Sequence, residues 1–191
     1  TLVTTLDYDV QETAYKALGD RDGAVVVMEV KTGKILALVS KPDFDPNTLA
    51  ERWDDIVSDE NSSVLLNRVT SGLYPPGSTF KIFTTLEYVH ENSNYQDYSF
   101  DCEGELNVDG NEIHCYHKAV HGKETLKDSF ANSCNTSFSN IGLSLDISGF
   151  RNLCEDMLFN KKLPGSLAGS KSSFTLTADA DKGKIMQTAI G

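Results

Sequence analysis

Ser78 and Lys81 stand one helical turn apart at the head of an apolar run, in Gly77-Ser78-Thr79-Phe80-Lys81. On a helix, residues three apart project to one side, so a hydroxyl and an amine at this spacing can act as a nucleophile and its base. The competing explanation is that Ser78 merely caps the helix. A capping box carries Glu or Gln at the third helical position, near the positive end of the helix dipole, and Lys81 has the wrong sign for that place. A lysine set against the dipole and beside Phe80, Ile82 and Phe83 is disfavoured as a cation, and its pKa should fall toward the range of a working base. Because Ser-x-x-Lys also arises by chance in chains of this size, it needs context.

Asn132-Ser133-Cys134-Asn135-Thr136 supplies that context. It lies between two helical patterns, and in a connecting loop residues i and i+2 can project to one side. Ser133 and Asn135 would then face a cleft while Cys134 packs inward. Taken alone, the same residues read more readily as a capping group for the following helix. The pairing is what matters: Ser-x-x-Lys follows Tyr74-Pro75-Pro76, and Ser-x-Asn comes later, at a break between helices.

The elements that must position these groups follow from periodicity. Asp7 to Leu18 has apolar residues at helical spacing and stops at Gly19. Ala24 to Val30 and Ile35 to Val39 are β-branched, apolar runs joined by Lys31-Thr32-Gly33-Lys34, a hairpin whose strands should be covered on both faces. Residues 41–72 are polar, with a short helical stretch at 48–56. Thr79 to His90 predicts a largely buried helix, and strands at 105–108 and 112–115 turn at Asp109-Gly110. Helices are expected at 124–131, 136–145, 149–158 and 183–190, with a Gly/Ser/Lys-rich loop at 163–173.

Composition narrows the classes. The 191 residues carry 17 Lys+Arg against 28 Asp+Glu, a net charge of −11, with 39% hydrophobic residues. That is globular composition with no clustered basic patch, which argues against nucleic acid as a partner and against an anionic membrane surface. No apolar run approaches the roughly 20 residues that cross a bilayer. Any anchor is therefore expected outside this chain.

With these motifs in order, the sequence resembles the transpeptidase domain of bacterial penicillin-binding proteins, of the serine β-lactamase and penicillin-binding superfamily. Thr5-Leu6-Asp7, Gly23 to Met28, Thr32 to Ala37, Phe44-Asp45-Pro46-Asn47, Asn67-Arg68, Tyr74 to Lys81, Ile113-His114-Cys115, His121-Gly122 and Ala189-Ile190-Gly191 are similar to family stretches in family order. The resemblance implies an α+β fold with helices packed on an antiparallel sheet. It makes Ser78 the acylated nucleophile, Lys81 its base, Ser133 a proton relay and Asn135 a ligand of the substrate amide. The implied substrates are D-Ala-D-Ala stem peptides of peptidoglycan, with β-lactams as mimics and no metal or organic cofactor. The implied location is the extracytoplasmic face of the bacterial membrane. The opening and Phe44 to Asn47 lean toward the monofunctional, class B branch. A D,D-carboxypeptidase, a serine β-lactamase or a penicillin sensor would use the same two boxes, and a degenerate, purely structural homologue would not be acylated at all.

The family's third box, Lys-Thr-Gly, belongs on a strand downstream of Ser-x-Asn. Here the tripeptide occurs as Lys31-Thr32-Gly33, in the hairpin, where it reads as a turn. Residues 1–191 are therefore expected to be the N-terminal portion of the domain, to need its C-terminal part as a partner, and to turn over poorly alone. Cys102 and Cys115 flank the short hairpin, slightly out of register for a two-residue turn, and a disulfide between them is one alternative. His114, His117 and His121 with these cysteines suggest zinc, but the spacing matches no standard pattern and surface histidines are the expectation. Cys134 and Cys154 are expected to be buried thiols.

Overall fold

The computed structural model describes residue 1, residues 3–164 and residues 167–191. The chain is α+β and separates into two compact units, one of residues 1–73 and 163–170, the other of residues 74–162 and 171–191. Among the described residues the strands form three two-stranded antiparallel sheets.

In the first unit, helix α1 (Tyr8–Leu18) starts at Asp7, whose carboxylate accepts from the Val10 N–H at 3.0 Å, and ends at Gly19 with φ +59°. Its Val10, Ala14 and Leu18 pack on the hairpin of β1 (Gly23–Met28) and β2 (Ile35–Lys41), against Val25, Val27, Ala37 and Val39. Gln11 ties helix to strand through both backbone groups of Leu38, donating to its carbonyl at 3.0 Å and accepting from its N–H at 2.8 Å. The expectation that both strand faces are covered fails for β1: Val26 is 48% and Met28 55% exposed. The α1 helix can cover only one face of a two-stranded ribbon, and the residues that alternate away from it stay open. Lys31-Thr32-Gly33 is the hairpin turn, with Gly33 at φ +71° donating to the Glu29 carbonyl at 2.8 Å. The helix expected at 48–56 forms later, as α2 (Trp53–Ser58), after a series of turns.

The second unit is built around α5 (Asn135–Ser144), whose Phe138 and Ile141 are fully buried. Against it pack α3 (Lys81–Glu91) and α7 (Lys182–Ile190), and α6 (Ile147–Asp156) packs on α3. Phe80, Phe83, Phe150, Phe159 and Phe174 meet in edge-on, tilted and stacked pairs, with Phe80 contacting the other four at 5.3–5.9 Å between ring centroids. Phe80 thereby nails the start of α3 into the core. At the other end of this layer Thr84 donates to the Ala189 carbonyl at 2.8 Å, and Gly142 lets α7 approach so closely that a Cβ there would stand 2.4 Å from that of Ala189.

Strands β4 (Glu105–Val108) and β5 (Asn111–His114) turn at Asp109-Gly110, both left-handed, as the sequence predicts. Strands β3 (Ser99–Cys102) and β6 (Gly122–Thr125) pair with each other. The helix expected from Glu124 instead begins at Leu126, as α4 (Leu126–Ala131), because Thr125 and Asp128 form a reciprocal capping box. Glu124 is left on β6. Loop 163–173 has no regular structure among its described residues, and its Gly165 and Ser166 lie outside them. No helix among the described residues is long and apolar enough to cross a membrane.

Candidate active site

Gly77 to Phe80 form a single 3-10 turn that runs directly into α3. Gly77 takes φ +55° to enter it, and the Thr79 hydroxyl, not that of Ser78, donates back to the Pro76 carbonyl at 2.7 Å. The capping explanation for Ser78 therefore fails, and its exposed Oγ is left facing a cleft of about 460 Å³. Lys81 follows as the first residue of α3. Buried Phe80 on one side and Thr84 one turn on fix the rotation of this segment.

The Ser-x-Asn segment reaches the same point from the α4–α5 corner. Ser133 adopts a left-handed φ of +52°, which reverses the chain between the helices. Cys134 then turns inward, fully buried, and its sulfur accepts from the Ser137 N–H at 3.4 Å to start α5. Ser133 and Asn135 consequently line the same cleft as Ser78. The corner is braced by Glu124, 1% exposed, which accepts from Asn132 Nδ2 at 2.7 Å and from Ser129 Oγ at 3.4 Å.

Lys81 joins the two segments. Its Nζ donates to the Ser133 carbonyl at 2.7 Å and to Asn135 Oδ1 at 2.7 Å, and lies 3.0 Å from Ser133 Oγ and 3.4 Å from Ser78 Oγ. Asn135 is itself oriented by donating from Nδ2 to the His114 carbonyl at 2.9 Å. Lys81 is 2% exposed, and burial pulls its pKa from 10.5 down to about 8, with nearby Cys134 and Cys115 opposing the fall. The physical cause is loss of hydration of the ammonium, as its apolar neighbours led the sequence to suggest. A neutral lysine has two N–H bonds and one lone pair. Two short acceptors occupy the former, so the lone pair is free for the hydroxyls of Ser78 and Ser133. This is a proton-accepting amine beside two candidate donors.

Three comparisons bear on this arrangement. The family model for the penicillin binding protein transpeptidase domain matches residues 23–191. The chain belongs to the penicillin-binding protein transpeptidase family. It is similar to the peptidoglycan D,D-transpeptidase PbpA of Mycolicibacterium smegmatis, at 37% identity over 74% of this chain and 32% of that protein. It is also similar to the D,D-transpeptidase MrdA of Acinetobacter baumannii, at 32% identity over 72% of this chain and 21% of the other. Among solved structures, the D,D-transpeptidase domain of a peptidoglycan glycosyltransferase from Eggerthella lenta superposes with a TM-score of 0.88 at 28% identity, over 97% of this chain and 45% of that one. The ceftriaxone acyl-enzyme complex of penicillin-binding protein A from M. tuberculosis does so with a TM-score of 0.88 at 29% identity, over 98% and 46%. The chain thus spans about a third or less of the curated relatives' lengths.

This transpeptidase-family chain also carries a feature the sequence did not resolve. Cys102, Cys115, Cys134 and His121 converge, with ligand atoms all within 4.8 Å of one another. His114 and His117 stay out of the group: His114 sits by Glu105 and Glu112, and His117 is exposed. Cys102 and Cys115 carry free thiols 3.7 Å apart, so the disulfide alternative is not realised. Neither the cluster nor Glu124 could be found from local pattern, because their partners come from separate strands and loops. Three cysteines and a histidine in one stretch were the only available signal.

Proposed function

We propose that the chain supplies the part of a peptidoglycan D,D-transpeptidase domain that holds its nucleophile, base and second serine. The carrying observation is the single amine, Lys81 Nζ, placed within hydrogen-bonding reach of Ser78, Ser133 and Asn135 together. The acyl-enzyme and D,D-transpeptidase relatives support the same reading.

In this reading Ser78 Oγ attacks the carbonyl between the two D-alanines of a stem peptide, and its proton passes to neutral Lys81. Ser133 Oγ, 3.0 Å from the same nitrogen, returns a proton to the departing D-alanine amine. Negative charge on the tetrahedral oxygen is met by the Ser78 N–H, one of the free amides at the start of the turn. Asn135, its Oδ1 held by Lys81 and its Nδ2 by His114, fixes the edge that the substrate amide meets. An amine from a neighbouring stem then takes the acyl group, which cross-links two strands. β-Lactams acylate Ser78 in place of the stem peptide, and the site works at the extracytoplasmic face, in the monofunctional branch of the family.

The test is labelling of the intact protein with a fluorescent penicillin, beside Ser78→Ala. A stable adduct on the native protein that is lost in the variant is expected, together with D-alanine release from a stem pentapeptide only when an acceptor amine is incorporated. Labelling that persists in Ser78→Ala overturns the assignment. An adduct that decays within minutes points to a β-lactamase, and one that forms without any peptide turnover to a sensor.

A further inference from the structure

Glu87 lies in the middle of α3, beyond Lys81 on the same helix, and takes no part in the chemistry proposed above. It is 1% exposed, and its Oε2 is shut away from solvent without a hydrogen-bond donor. The carboxyl faces the first turn of α6, where Gly149 leaves it room. A Cβ on Gly149 would stand 2.5 Å from Glu87 Oε1, 3.3 Å from Asp146 Oδ2 and 3.5 Å from Glu91 Oε1. Three carboxyl groups therefore surround one point at the joint between α3 and α6.

The start of a helix offers backbone amides to an anion, but here they are committed elsewhere. Asp146 caps α6 by accepting from the Ser148 and Gly149 N–H groups, each at 3.1 Å, and its own N–H is donated to Glu91 Oε1 at 2.9 Å. None of these three is left for Glu87. His90 Nδ1 stands 3.7 Å from Glu87 Oε2, beyond hydrogen-bond range, on a side chain that is 79% exposed. From α6 comes also the buried thiol of Cys154. Helix α5 and the Gly77–Phe80 turn carry no ionisable side chain, and the lysines of α7 are exposed at its start, whereas α3 meets its end at Ala189. An ionised Glu87 would thus face two other carboxylates without a donor of its own. Burial, followed by the charge of Glu91, raises its pKa above the ordinary 4.5, against a smaller pull from His90. A protonated carboxyl has an O–H to give, and Glu91 is in hydrogen-bonding contact with it.

We propose that Glu87 keeps a proton that it donates to the Glu91 carboxylate, and that this shared proton latches the start of α6 to α3. Glu91 in turn holds the Asp146 N–H, so one chain of hydrogen bonds runs from the buried side of α3 into the cap of α6. Loss of the proton to solvent leaves two like charges facing each other at the joint, and the start of α6 loosens. The folded chain holds this proton at pH values where the unfolded chain has released it. The latch therefore contributes fully below pH 4.5, and its contribution is lost as pH rises from there through the folded pKa. The device stands whether or not the cleft performs the reaction proposed above.

The test compares the intact protein with Glu87→Gln, whose amide can still donate to Glu91 and does not titrate. From pH 4.5 upward, the ratio of the native folding constant to that of the variant, from urea unfolding, should fall by up to about tenfold per pH unit and then level off. Taking the ratio cancels Lys81 and the other carboxyls. Isotope-edited infrared spectra of protein labelled with ¹³C-glutamate should show one protonated carboxyl that outlasts the exposed ones as pH rises and is missing from Glu87→Gln. Once that band is gone, the Asp146 amide should exchange its hydrogen faster in the native protein than in the variant at the same pH. Should Glu87→Gln fail to fold, the native band still decides, and Glu91→Gln, which removes the neighbouring charge, should move its loss to lower pH. A ratio flat with pH, a native band lost together with the exposed carboxyls, or equal Asp146 exchange in the two proteins overturns the latch. So does a joint that added Ca²⁺ stabilises in the native protein and not in Glu87→Gln, which would make the three carboxylates a cation site instead.

Discussion

Titrating Lys81 should control how fast Ser78 is acylated. Its pKa is drawn from 10.5 to about 8 by burial, which at about 1.4 kcal/mol per unit means the fold disfavours the ammonium by roughly 3 kcal/mol. With a pKa of 8, about 1% of the amine is neutral at pH 6, about 10% at pH 7 and about 90% at pH 9. An unperturbed lysine would be neutral in only about 0.03% of molecules at pH 7. The second-order rate constant for acylation by a fluorescent penicillin, measured from pH 6 to 9.5, should therefore rise nearly a hundredfold and level off above pH 8.5. The sign for stability is the same. Between pH 8 and 10.5 the unfolded chain binds the proton and the folded chain does not, so the lysine's cost to folding is relieved as pH rises through that window. Lys81→Met should remove both effects and leave acylation slow at every pH. A rate that is flat with pH, or that rises only near pH 10, would show that Lys81 is not the base.

Two further substitutions probe how the site is held. Glu124→Ala leaves the Asn132 amide and the Ser129 hydroxyl without their buried acceptor. It should cost about 1–3 kcal/mol in denaturant unfolding and slow acylation, and Glu124→Gln, which keeps an acceptor for Asn132, should restore most of the rate; a Gln variant as impaired as Ala would assign Glu124 to charge instead of positioning. Gly142→Ala drives a methyl into Ala189 across the α5–α7 contact. A loss of about 1–3 kcal/mol is expected from overpacking, and an unchanged melting temperature would mean that α7 is free to shift.

How much of this was legible in the sequence depends on how far apart the interacting residues lie. The Asp109-Gly110 turn, the stop at Gly19 and the helix after Ser78 are specified by neighbours, and the structure has them where the pattern places them. Ser78, Lys81, Ser133 and Asn135 could be named from two short motifs. Their meeting could not, because it depends on Phe80 locking one segment and the left-handed Ser133 turning the other. Glu124 shows the opposite failure: read locally it begins a helix, but pairing with Phe100 of β3 claims it for a strand, and only there can its carboxylate reach Asn132. Cys134 carries the same lesson for chemistry. In sequence it is a spacer between two polar residues, and an inward-facing spacer was the correct inference. What it faces is set by β3, β5 and the loop to β6, so the residue that separates Ser133 from Asn135 anchors both of them, through Cys115 and Thr136, to a layer that no local pattern joins to it.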